Sequence, residues 1–356
     1  MSLSRQPLAL LLGAATCLGA LPAQADLDAE LGVQLRLFPQ DGPRAMEASD
    51  DLSSSFSAEW YWESEDRNTS LTVLPFARFG IEDQGRDHFD VREFALTHVF
   101  GDFELRAGIS KVFWGKTEIN HLVDVINQDD NLENLDGEDK LGQPMLRLSY
   151  RVPGGQLVGF VLPGFREREF VGPEARLSTP LKVRQSGAIY ESSEEEDHVD
   201  WALRWEGYVG SLDFGLAHFS GTARDPQLVP NDFQQPTALL PVYAQMEQTS
   251  LDAQYIHGGW LFKLEALSRD SAVLRPGPQG LPIFVDERFA AATGGFEYTL
   301  YGVMGSAADL GLLAEYLWDE RGESAPTPFQ NDLFLGGRLA LNDIPGTTLL
   351  GGAVVD

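Results

Sequence analysis

Apolar and polar residues alternate with a period of two along most of this chain, in stretches of about ten residues. Leu31, Val33, Leu35 and Leu37 alternate with Gly32, Gln34 and Arg36. Phe56, Ala58, Trp60 and Trp62 alternate with Ser57, Glu59, Tyr61 and Glu63, and Val199, Trp201, Leu203 and Trp205 with Asp200, Ala202, Arg204 and Glu206. Successive side chains of a β-strand point to opposite faces, so each stretch predicts a strand with one greasy and one wet side. Fifteen such segments are readable, at 29-38, 53-63, 69-80, 88-100, 103-113, 144-152, 156-163, 199-208, 211-220, 247-256, 260-269, 289-300, 309-319, 332-342 and 347-355. Within 88-100 the alternation breaks, and the pattern does not decide whether Glu93 or Arg92 and His98 share the outward face.

The connections alternate too. Short ones such as Gly101-Asp102, Pro153-Gly155, Val209-Gly210 and His257-Gly259 are separated by long ones at 39-52, 81-87, 114-143, 164-198, 221-246, 270-288 and 320-331. Tight turns on one side and long loops on the other are the habit of outer-membrane barrels. Hydrocarbon offers no water to backbone N–H and C=O groups, so a β-protein that spans it must close on itself. Six of the seven tryptophans (Trp60, Trp62, Trp201, Trp205, Trp260, Trp318) fall on the apolar face, where interfacial aromatic girdles would sit. A soluble β-sandwich also buries alternating aromatics, and stands as the alternative. The reading is an all-β, transmembrane, antiparallel up-and-down barrel. Single-chain bacterial barrels have an even number of strands, so about 16 are expected, with the last missing from this chain.

The N-terminus reads as an export signal. Arg5 precedes the uncharged run Leu8 to Leu21, and Ala23-Gln24-Ala25 gives a small-x-small cleavage pattern. The only cysteine, Cys17, lies in this run behind Thr16, which is poor for lipidation. Residues 1-25 are thus expected to be removed, leaving 26-356 as one barrel domain without a thiol. Losing Arg5 takes the formal charge from -28 to -29, which disfavours nucleic acid as a partner. The 37 aromatic residues (7 Trp, 9 Tyr, 21 Phe) are too many for a disordered chain.

The blocks VFWGKTEINHLVDVINQDDNLENLDGEDKLGQPML (112-146), DLGLLAEYLWDERG (309-322) and PFQNDLFLGGRLALND (328-343) resemble a family of Gram-negative outer-membrane β-barrel proteins that lacks an assigned activity. FSGTARDP (219-226) and GGFEYT (294-299) add to it. The resemblance implies the cell outer membrane as location, with lipid and lipopolysaccharide as surroundings. By analogy with porins it implies passage of small hydrophilic solutes and a possible homotrimer.

Polar positions of the strands supply the expected pore lining: Arg36, Glu59, Arg78, Glu104, Arg106, Arg147, Arg151, Arg204, Glu206, Lys263, Glu265, Glu315 and Arg338. With Glu63, Asp200, Asp213, Asp252 and Glu297 counted too, eight bases face ten acids on the inward positions, so most of the negative charge is assigned to loops. The long connection 114-143 is the third loop, expected to fold inward as a constriction. Ile119, Leu122, Val123 and Ile126 recur at helical spacing and predict a short amphipathic helix against the wall. Asp124, Asp129, Asp130, Glu133 and Asp136 would then set a negative potential in the pore. A solvated outer loop is the competing reading. A twelve-residue calcium loop starting at Asp129 would need Gly at 134 and Glu at 140, where Asn134 and Lys140 stand.

No metal, cofactor or catalytic residue is assigned. The six histidines lack metal-pair spacing, and His121 with Asp124 or His198 with Asp200 are the places where a hydrolytic dyad would be sought. The expected function is a porin-like channel for passive diffusion, not an enzyme. A closed-lumen barrel with a structural, adhesive or assembly role is the second reading, and an outer-membrane barrel hydrolase the third.

Overall fold

A computed structural model describes residues 25–42, 44, 47–81, 84–277 and 282–356. The expected signal segment, Ala25 apart, lies outside them. Fifteen strands form one antiparallel sheet: β1 (Ala25–Leu37), β2 (Asp50–Glu63), β3 (Thr69–Gly80), β4 (His88–Phe100), β5 (Phe103–Ser110), β6 (Gln143–Val152), β7 (Gly155–Pro163), β9 (Val199–Val209), β10 (Leu212–Thr222), β13 (Gln245–His257), β14 (Trp260–Pro276), β15 (Pro282–Leu300), β16 (Asp309–Asp319), β17 (Asn331–Ala340) and β18 (Thr348–Val355). Each pairs with its neighbours in that order, which is an up-and-down meander. The sheet is not closed: β1 and β18 are each paired along one edge. The remaining strands, β8 (Ile189–Tyr190), β11 (Gln227–Pro230) and β12 (Leu239–Tyr243), make a small separate sheet from two of the long connections.

The tight turns have a common cause. In the two-residue reversals Gly101, Gly154, Gly210 and Gly258 take positive φ, between 61° and 78°, and Gly302, Gly346, Arg67 and Asn342 do so in the somewhat longer turns. Two-residue reversals between right-twisted strands demand that conformation, which glycine adopts without a Cβ clash.

One face of the sheet is apolar and exposed. Trp201, Leu203 and Trp205 on β9 are 46%, 54% and 44% exposed, whereas Ala202 and Arg204 between them are buried. Leu146, Leu148 and Tyr150 on β6, Phe262 and Leu264 on β14, and Tyr316 and Trp318 on β16 repeat this. A soluble sandwich would hide these rings between its sheets. Here they face out, as a lipid-facing belt requires.

The irregularity in β4 is a bulge. Leu74 pairs with Glu93 and Pro75 with Val91, so Arg92 is the extra residue. Pro75 has no N–H to give the ladder, and a bulge is where a sheet tolerates that. Arg92 and Glu93 therefore both reach polar partners on the inner face, to Asp130 and Arg106 respectively, while His98 stays on the exposed face.

A candidate pore site: a segment laid across the inner face

Residues 111–142, between β5 and β6, lie on the polar face and are tied to strands far apart in the sheet. Towards β14 and β16 the ties are carboxylates. Glu265 accepts the N–H groups of Lys116 (2.6 Å) and Thr117 (2.9 Å) and the Thr117 hydroxyl (2.7 Å), and Val123 N–H lies 3.3 Å from its second oxygen. Glu315 accepts from the N–H groups of Glu118 (2.8 Å) and Ile119 (3.2 Å). Glu118 in turn receives Lys263 at 3.3 Å and Arg338 at 2.6 Å. Towards β1 and β3 the ties are guanidiniums. Arg36 donates to the Glu133 carbonyl at 2.7 Å, and Arg78 grips the Glu133 carboxylate with two nitrogens at 2.5 Å.

The amphipathic helix expected over Ile119–Ile126 does not form; the described segment is turns and extended backbone. The N–H groups that a helix would turn back on itself are taken by Glu265 and Glu315, and Val112 and Trp114 N–H by Asn127 and Asp124 side chains. Side-chain acceptors compete with helical carbonyls wherever they are already positioned. The apolar residues are buried all the same. Val123 and Ile126 pack with Trp114, Phe160, Ala202 and Phe219, Leu122 leans on Leu267 and Phe289, and Ile119 on Leu313 and Phe334.

The acids are mostly paired rather than free. Lys140 lies 3.0 Å from Asp124 and 2.5 Å from Asp129, so an ammonium sits among these carboxylates. Arg168 adds a bridge to Asp129 at 2.8 Å, and Arg92 reaches Asp130 at 3.4 Å. The negative potential expected from this run is therefore largely neutralised in place, leaving Asp136 and Glu138 exposed. Burial pushes the Asp124 carboxyl up to about 6, against the pull of Lys140. For Glu118, burial acts upward but Lys263 and Arg338 outweigh it, holding the carboxyl below its usual range. His121 is likewise opposed by burial, yet Glu265 and Glu138 keep the imidazole above its ordinary value.

Among the other wall residues, Arg106 pairs with Glu93 at 2.8 Å and Arg204 with Glu206 at 2.9 Å and Asp252 at 2.7 Å. The Arg204 guanidinium passes over Gly215, where a Cβ would collide with it, and stacks 4.8 Å from the Trp114 ring centroid. Arg147 is half-buried with Nε unbonded, Glu104 is half-buried, and Glu59 and Arg151 are exposed. Between Phe113, Lys116 and the wall formed by Arg151, Gln156, Glu206, Asp213 and Asp252 lies a cavity of about 530 Å³. It sits beside the tight turns of β6–β7 and β9–β10.

The pattern overlooked several contributors. Arg86, His88, Arg92, Lys140, Arg168 and Arg224 all bond the segment, and none lies on a clean polar stripe of a strand. The apolar inner patch had a visible trace: β7 runs Leu157, Val158, Phe160, Val161, Leu162 with little alternation, as a strand covered on both faces does. His121 does not pair with Asp124; its Nε2 lies 2.7 Å from Glu138. His198 does meet Asp200 at 2.8 Å, but Asp200 is also bound by Arg224 at 2.7 Å and by Thr222 N–H.

No family model and no curated protein matches this sequence. Solved structures do. OccK2 of Pseudomonas aeruginosa, in complex with glucuronate, aligns with 93% of this chain and 80% of its own at 13% identity, TM-score 0.50. The fold is that of Gram-negative outer-membrane porins. OmpF of Salmonella typhi, in complex with daunomycin, aligns with 93% of this chain and 89% of its own at 9% identity, TM-score 0.49. OmpT of Vibrio cholerae, in a trimer form, aligns with 89% and 83% at 11% identity, TM-score 0.46. With an exposed apolar belt on a porin fold, this chain is an outer-membrane β-barrel protein.

Proposed function

We propose that the chain is a channel for passive diffusion of small hydrophilic solutes, with residues 111–142 as its constriction. One observation carries this: the segment is bonded to both flanks of the inner face, yet a cavity of about 530 Å³ remains between it and β6–β13. Cations and carboxylates both line that space, so solutes would be sorted by size and dipole as well as by charge. Lys116 and Arg151 have no ion-pair partner among the described residues, whereas Arg204 is neutralised by Asp252 and Glu206. Planar-bilayer recordings of the purified full chain should show reproducible steps. Arg151→Glu should move the reversal potential in a salt gradient towards cation preference. No current from a well-folded barrel would support the closed-lumen reading instead, which the density of inner-face ion pairs favours.

A homotrimer is part of this proposal, tested by native electrophoresis before and after heating. No hydrolytic role is proposed, because His121 is committed to Glu138 and Asp200 to Arg224.

A further inference from the structure

Two guanidiniums face each other across the inner wall. Arg106 of β5 and Arg147 of β6 are directly paired in register. Like charges set opposite one another on neighbouring strands destabilise a sheet. Arg106 is neutralised on its other side, where its nitrogens reach Ser110, Thr97 and, at 2.8 Å, the Glu93 carboxylate. Arg147 has no such relief. Among the described residues its side chain makes no hydrogen bond or ion pair, and its Nε is buried without an acceptor. Two positions on, Ser149 is 5% exposed, and its hydroxyl is also buried without a partner. A buried donor left unmade costs about 1–3 kcal/mol, and more where it is charged.

Arg151 follows on the same face of β6, exposed and without an ion pair, and Lys116 of the inner segment lines the same cavity of about 530 Å³. The carboxylates of that cavity are engaged. Glu206 and Asp252 hold Arg204, and Asp213 accepts from Gln254. On β5, Glu104 stands opposite Ser149, a single carboxylate without a partner against the three unpaired cations Arg147, Arg151 and Lys116. Phe160, the register partner of Arg147 on β7, makes the other side apolar, which strengthens charge-assisted hydrogen bonds there.

We propose that Arg147, Ser149 and Arg151, with Lys116 from the segment, form a binding site for the oxyanion group of a small solute, a carboxylate or a phosphate. The guanidinium of Arg147 offers N–H donors in a planar fork that matches two oxygens, and the Ser149 hydroxyl supplies a further donor. An anion held there also offsets the repulsion between Arg106 and Arg147.

The site shares the cavity of the proposed channel and rests on that reading for its part in transit, but binding is read without current. With the purified full chain folded in detergent, saturation transfer to the methyl protons of acetate reports a carboxylate. Broadening of the phosphorus resonance of inorganic phosphate reports the other source. One or both should bind, and the tighter names the source. Arg147→Gln should weaken binding about tenfold, through loss of a charge-assisted hydrogen bond. Arg147→Lys keeps the charge without the fork and should fall between. Ser149→Ala should weaken it about threefold. Arg275→Gln removes an exposed charge at the far end of β14 and should leave it unchanged. Arg147→Gln ends the opposition with Arg106, so it should fold at least as well as the parent, checked by heat-modifiability on electrophoresis. Failure of the folded parent to bind either anion overturns the site. So does binding that survives Arg147→Gln combined with Arg151→Gln, or that falls equally in Arg275→Gln. Bilayer current, measured in parallel, keeps the two readings apart: binding without current retains the site and rejects the channel, and current without binding does the reverse.

Discussion

At the scale of single residues, Glu265 shows what an inner wall position can be for. Parity along β14 marks it as inward-facing, and no sequence pattern reveals that its partners are Lys116 and Thr117, well over a hundred positions away. It is fully buried, and its donors would be unpaired without it. A buried N–H left without an acceptor costs about 1–3 kcal/mol. Glu265→Leu is therefore expected to weaken the ordering of 114–123 by about 3 kcal/mol, and Glu265→Gln, which keeps one acceptor oxygen, by about half as much on the same scale. Hydrogen exchange of Lys116, Thr117 and Val123 amides reads this, while exchange of the β9 and β10 ladders should not move. Equal acceleration in both places would mean that Glu265 supports the barrel rather than the segment.

At the scale of elements, the strands were legible and the inner segment was not. All fifteen expected segments are strands of the main sheet, because an apolar and polar period of two runs along most of them, broken at the β4 bulge and blurred in β7, which is apolar on both faces. Expected and observed ends differ most at β14 and β15, which run to Pro276 and from Pro282. That hairpin continues past the apolar belt, where polar residues such as Asp270 and Arg275 hide the period. The helix expected over Ile119–Ile126 failed for a different reason: helical spacing reports which residues are buried together, not which acceptors their N–H groups find.

The ionisation of the segment has a definite sign. Asp124, with its carboxyl pushed up to about 6, binds a proton in the folded segment that it would not hold when unfolded between about pH 4 and 6. Stability is then lost as pH rises through that window, by on the order of 2–3 kcal/mol. His121, held above its ordinary value of 6.5, contributes stability below that value which is lost as pH rises through its folded one. Both act in one direction. Amide protection over 114–126, corrected for intrinsic exchange, should fall steadily from pH 4 to 8. Asp124→Asn should remove the lower part of the fall and His121→Gln the upper. Protection that rises with pH would reverse the assignment. Deleting 119–139 should raise single-channel conductance several-fold if the segment narrows the passage, and an unchanged step size would place it off the conducting path.

For the whole molecule, the deciding question is which solvent meets the outward face. Leu203 is 54% exposed in the middle of β9, between Trp201 and Trp205. If water covered that face, Leu203→Arg would be one more surface substitution, within about 0.5 kcal/mol of neutral. If acyl chains cover it, a guanidinium near the midplane of a barrel costs about 2–4 kcal/mol, falling towards the rims. The same change at Val199, nearer the end of the strand, should therefore cost less. Folding equilibria in lipid vesicles measure all of this. A control substitution on the inner face, Ser149→Arg, carries a cost unrelated to depth, because it meets side chains and not lipid. A depth-dependent penalty on the outward face requires a membrane-spanning barrel. A flat, near-zero profile across Val199, Leu203 and Leu264 would mean that the indole belt lies in water, and the channel would fall with it.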